Sequence, residues 1–277
     1  MFYNRAKLKK EALAELKGNW KNAGLIGFYL FIPMIAGTAV FIKLILPKIE
    51  DLENAVLSEL LIFLFGNLLP FFAVLYSVLS VLYLAMFRWS SILSRKRKSG
   101  MENFYHSMTP KAIPAFFWMA LRSFLWFLLS YVAMVPSFLA AVTIAERLMT
   151  DSVLIVFLPI FSIVLFGIAY FVFFAKVTSY QMCFLALADK KDLKILESLR
   201  VAVKVTDGFR TNLFVMNFSF AGWYLLCIIT FGIASIWVVP YYSQVMTKAW
   251  QFMLSEKTEV LSPDENKTEP QAEQGEK

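Results

Sequence analysis

Residues 213–242, LFVMNFSFAGWYLLCIITFGIASIWVVPYY, contain no charged side chain. Drawn as one straight helix this run is about 45 Å long, whereas the hydrocarbon core of a bilayer is about 30 Å thick. One span is too short a description of it. Two spans need a turn, and Thr230-Phe231-Gly232 is the place for it, because Gly232 reaches positive φ without steric cost. The returning arm must then use the more polar residues up to 254. There Tyr242, Val245, Met246, Ala249 and Met253 recur at helical spacing, with Gln244, Lys248 and Gln251 opposite. The expectation is a hairpin of 213–229 and 233–254, turning at Gly232 and kinked at Pro240.

Four further spans precede it: 23–46, 60–87, 115–145, and a run from 153 to 175. Lys43 lies in the last turn of the first span, where its stem can snorkel to the far interface. Gly66, Asn67 and Pro70 interrupt the second, which reads as a packed kink. The charges between spans are uneven. Residues 1–22, 88–114 and 189–210 are rich in Lys and Arg, whereas 48–59 and 146–151 are not. With four spans separating them as read, every basic segment falls on one side, which places both termini in the cytoplasm.

The net charge of +7 therefore marks membrane topology rather than nucleic acid, since the cations flank apolar runs. Residues 2–21 place Leu8, Ala12, Leu13, Leu16 and Trp20 at helical spacing among Arg and Lys, as a helix lying on an anionic leaflet would. Basic helical stretches recur near residues 95 and 193. The fold expected is all-α: a polytopic helix bundle of six transmembrane helices in three hairpins, each preceded by a basic amphipathic interfacial helix. Its parts are an N-terminal helix at 1–22, a membrane domain at 23–254 and a disordered acidic tail at 255–277, which has no aromatic residue to order it.

Chemistry is sparse. The single histidine, His106, lies in a basic segment with no metal-site spacing around it, and there is no HExxH or P-loop. The reading assigns no catalytic residue, no metal and no cofactor, and it treats Cys183 and Cys227 as small buried hydrophobes. The polar residues that would share one inner-leaflet depth are Arg122, Lys176, Gln181, Asn217, Gln244 and Lys248. If their helices are adjacent, they form a cytoplasm-facing basic pocket for a lipid headgroup or another anion. Ordinary positive-inside anchoring plus interhelical hydrogen bonds is the simpler explanation of the same residues.

Four stretches carry a family resemblance: RAKLKKEALAELKGNW at the start, then GFRTNLF, GWYLLCIITFGIASIW and VVPYYSQVMTKAWQFM. They resemble a bacterial family of membrane proteins known as domain-of-unknown-function family 975. Its closing signature corresponds to Trp223, Leu226, Thr230, Gly232, Ile233, Trp237, Pro240 and Tyr241. The resemblance implies a six-helix protein of the inner membrane and brings no activity with it. The function expected is that of a non-enzymatic, envelope-associated accessory protein in contact with anionic lipids and with protein partners in the envelope. The alternative is a transporter or lipid-handling protein using the basic pocket.

Overall fold

The computed structural model describes residues 4–50, 57–96, 98–147, 154–190 and 193–261. The central part of the 48–59 loop, most of the 146–151 turn and the tail from 262 onward lie outside them. The described residues form helices α1 (Arg5–Leu16), α2 (Trp20–Val40), α3 (Leu46–Glu50), α4 (Leu57–Phe63), α5 (Leu69–Lys96), α6 (Met101–Tyr105) and α7 (Ala112–Arg147). Then follow α8 (Leu154–Gln181), α9 (Cys183–Asp189), α10 (Ile195–Val205), α11 (Arg210–Phe218), α12 (Ala221–Ile229) and α13 (Ser235–Leu261). The π-helical turn Phe41–Ile45 joins α2 to α3, and a second, Leu64–Leu68, joins α4 to α5. The second turn contains Gly66 and Asn67, so the expected interruption is a π-bulge. Asn67 Oδ1 accepts a hydrogen bond from Lys48 Nζ at 2.7 Å, which ties the two bulged segments together.

Among the described residues five helices are long and apolar enough to cross a membrane: Trp20–Lys48, Ser58–Lys96, Ala112–Leu129, Gly167–Asp189 and Arg210–Ile229. The sixth expected span, 233–254, is not among them. Its basic-end half carries Ser243, Gln244, Thr247 and Lys248, and it buries the first three completely inside protein. α13 continues as helix to Leu261, into the segment expected to be disordered.

The elements pack in series: α2 on α5, α5 on α7, α7 on α8 and α8 on α11, with α13 lying against both α2 and α5. The short helices dock on longer neighbours: α6 on α5, α10 on α9 and α8, and α1 on α13. Two of these short helices differ from the expectation. α1 turns Leu8, Ala12 and Leu16 into the protein, so its apolar face meets α13 rather than the headgroups. The helix before the second hairpin is only the five-residue α6, because α5 uses the basic residues up to Lys96 to extend itself.

Burial divides the molecule. At the basic end α5 (from Leu79), α9, α10 and α13 (from Val238) enclose Trp89, Phe104, Leu185, Leu187, Leu199, Val245 and Trp250. Towards the other end the two π-helical turns, α4, α5 and α7 expose Ile42, Leu44, Ile62, Phe65, Val74 and Leu125, as lipid-facing surfaces do. Where α13 meets α2 the backbones nearly touch: a Cβ on Gly27 would lie 1.9 Å from the Ile236 carbonyl oxygen. Small residues permit such approaches, which membrane helices use in place of a hydrophobic driving force.

Candidate functional site

The last turns of α5 place Arg88, Ser91, Ile92 and Arg95 on one face, at spacings of three, four and seven. That face lines a cavity of about 680 Å³, closed on the other side by Ala188, Asp189, Lys190, Leu193 and Glu197. Ser107, in the turn after α6, completes the wall. The volume falls in the usual range for small-ligand sites, about 300–1,000 Å³.

Two side chains organise the cavity. Asp189, at the end of α9, accepts hydrogen bonds from Ser91 Oγ at 3.1 Å, Arg95 Nη2 at 3.0 Å and Trp250 Nε1 at 2.6 Å. One carboxylate thereby joins α5, α9 and α13 and has its charge answered by Arg95. Among the described residues, no carboxylate bonds to Arg88. It is only 4% exposed, and its guanidinium donates to neutral oxygens: Ser107 O at 3.0 Å, Thr109 Oγ1 at 2.7 Å and Leu187 O at 3.4 Å. Its buried Nε makes no hydrogen bond. A buried cation held by neutral acceptors is favoured further by an anion brought beside it. Lys190 adds a second positive charge at the rim. The lining thus carries Arg88, Arg95 and Lys190 against Asp189 and Glu197.

The six residues singled out from the sequence are distributed differently. Gln244 and Lys248 do meet, on Glu15 of α1. Gln244 Nε2 donates to Glu15 Oε2 at 2.6 Å, and Lys248 forms an ion pair with the same carboxylate. Asn217 accepts a hydrogen bond from the Tyr242 hydroxyl at 2.6 Å. The Lys176 ammonium lies 5.0 Å from the centre of the Trp126 ring, a cation–π arrangement. Arg122 is half-buried on α7 and Gln181 is exposed at the end of α8. None of the six lines the cavity. Sequence reasoning had counted Arg88 and Asp189 only as members of basic segments. The signal available was Arg88 directly after an apolar run, in helical register with Ser91 and Arg95.

Elsewhere at this end, Lys9 of α1 donates to the Ser219 carbonyl at 3.4 Å and lies 4.6 Å from the centre of the Phe220 ring. Partial burial, followed by the nearby Arg5 charge, lowers its pKa from the ordinary lysine value. Both cysteines are free thiols.

Comparison with known protein families gives a match over residues 1–252 to the family described as Protein of unknown function (DUF975). No curated protein and no solved structure matches the chain.

Proposed function

The chain belongs to that family, and from this premise we propose that it is a non-enzymatic, multi-pass protein of the bacterial cytoplasmic membrane that holds a phosphate-bearing anion, an anionic lipid headgroup, in the basic-end cavity. In this reading the basic end and both termini face the cytoplasm, where anionic lipid and positively charged protein segments meet. The observation that carries it is Arg88, a buried guanidinium that lines the cavity and to which, among the described residues, no carboxylate is bonded. Phosphate oxygens suit such a fork, and the Lys190 ammonium adds a point charge at the entrance. A headgroup held there would tether the α5–α9–α13 junction to the inner leaflet, the placement an envelope accessory protein requires.

Native mass spectrometry of delipidated protein tests this with three probes: phosphatidylglycerol, phosphatidylcholine and inorganic phosphate. Phosphatidylglycerol should remain bound in preference to phosphatidylcholine. Lys190→Gln, which alters an exposed side chain, should reduce that preference severalfold. Equal retention of the two lipids, or a preference unchanged in Lys190→Gln and Arg88→Gln, overturns the reading. Retention of inorganic phosphate alone would redirect it to a soluble anion.

A further inference from the structure

The turn between α12 and α13 satisfies its amides from within. Thr230 N donates to Leu226 O at 3.0 Å, Phe231 N to Ile228 O at 3.1 Å and Gly232 N to Cys227 O at 2.7 Å. Ile233 N reaches Thr230 O at 3.1 Å, and Ala234 N reaches the Thr230 hydroxyl at 3.1 Å. Ser235 N then donates to Gly232 O at 2.9 Å. Water makes such completeness unnecessary. Hydrocarbon demands it, since each unpaired amide there costs several kcal/mol. The side chains agree: Phe231 is 93% exposed, Ile228 73% and Ile229 66%.

Register against α2 gives the depth of this turn. α13 runs antiparallel to the α1–α2 arm. Lys248 pairs with Glu15, Ile236 faces Gly27, and Gly232 faces the Phe31 ring. The turn is therefore level with Phe31, whereas α2 and its extension continue to Lys48. The next charge along that arm after Lys21 is Lys43, which marks the far interface. Twelve residues separate Phe31 from Lys43, so the turn stops about 18 Å short of it. α12 itself has nine residues, a rise of about 13 Å. Composition alone makes Arg210–Ile229 long enough to cross, but the break at Ser219 and Phe220 separates α11 from α12.

We propose that the closing hairpin is re-entrant: it enters from the basic end, turns at residues 230–234 inside the hydrocarbon, and seats Phe231 among lipid acyl chains. Four helices then cross the bilayer, and the fifth and sixth arms share one leaflet's depth. Above the turn, the outer half of α2 meets lipid instead of α13, which agrees with the exposure of Ile35, Ile42 and Leu44.

Site-directed spin labelling of full-length protein in phosphatidylglycerol-containing nanodiscs tests this. The background is Cys183→Ala with Cys227→Ser, and single cysteines at 231, 43 and 255 carry a nitroxide. Folding of each variant is checked by circular dichroism and elution volume. At 231, collisions with apolar oxygen relative to a water-soluble nickel chelate should exceed the ratios at 43 and 255, because 231 then lies inside the hydrocarbon core and the other two at or beyond its edges. A ratio at 231 equal to that at 43 means a full crossing and overturns the proposal. A ratio equal to that at 255 means a turn outside the bilayer and overturns it as well. Neither result bears on retention of phosphatidylglycerol at Arg88, so the two proposals fail separately.

Discussion

Gly27→Ala adds one methyl group at the tightest helix contact found among the glycines. Its carbon would stand 1.9 Å from the Ile236 carbonyl oxygen, 2.7 Å from the carbonyl carbon and 2.8 Å from the Cα. All three are backbone atoms, so no rotamer change relieves the clash. Restoring an ordinary contact of about 3.2 Å moves the α2 and α13 backbones apart by about 1.3 Å (3.2 − 1.9), and a gap of about 1 Å already forfeits up to half of a dispersion well. Overpacking of this kind costs about 1–3 kcal/mol. The whole α13 seam shares the shift, including Ser243 Oγ, 2.8 Å from Ser90 Oγ. The upper end of that range, about 3 kcal/mol, is therefore expected, a fall in melting temperature of roughly 6–12 °C for a chain of this size. The assay is thermal unfolding in mild detergent of protein carrying Cys227→Ser, reported by a thiol-reactive dye at Cys183, which is buried. Gly24→Ala is the matched control, three residues away on the same helix with nothing within 4 Å of the added carbon. It should be neutral or stabilising by up to about 1 kcal/mol. Equal melting temperatures for the two variants would refute the close packing of α13 on α2.

Four other outcomes follow from the same geometry. Asp189→Ala strands the buried Trp250 indole N–H and releases the mostly exposed Arg95 to solvent, and should cost about 1–3 kcal/mol by chemical denaturation. Glu15→Ala leaves Lys248, whose side chain is 16% exposed, without its ion pair. It should cost about 3 kcal/mol, most of it recovered in the Glu15→Ala/Lys248→Met double variant. Thr230→Val removes the hydroxyl that accepts Ala234 N–H. The loss of stability should be about 1–3 kcal/mol and larger in nanodiscs than in a water-permeated detergent micelle. A cysteine at Ser255 should resist an impermeant maleimide in intact cells; labelling there would place the end of α13 outside and reverse the proposed orientation.

The helical character and the membrane class were legible because they depend on local composition. An apolar run of 18 or more residues has few places to go except into lipid, and Gly232 identified the closing turn correctly, with φ at 86°. The interruption at Gly66 and Asn67 was equally visible. The site was not. Arg88, Asp189 and Trp250 come from α5, α9 and α13, separated by about a hundred and by sixty-one positions. Each looks ordinary where it stands: one among several basic residues, one acidic residue beside lysines, one of several interfacial tryptophans. Lys248 and Gln244 were recognised as polar residues at one depth, but their partner Glu15 lies in a segment noted for its positive charge.

What the sequence by itself determined is how much of this chain must leave water, and roughly where it turns, because hydropathy, charge and glycine act within a few residues of themselves. Tertiary structure alone decided how deep each turn sits and which charges meet. The closing run carries no charge over 30 residues, yet the backbone contact of Gly27 with Ile236 sets α13 in register with the first third of α2 and places the turn level with Phe31. Depth and ion pairing are relations between segments, fixed by packing across more than 200 positions, and no local pattern encodes them.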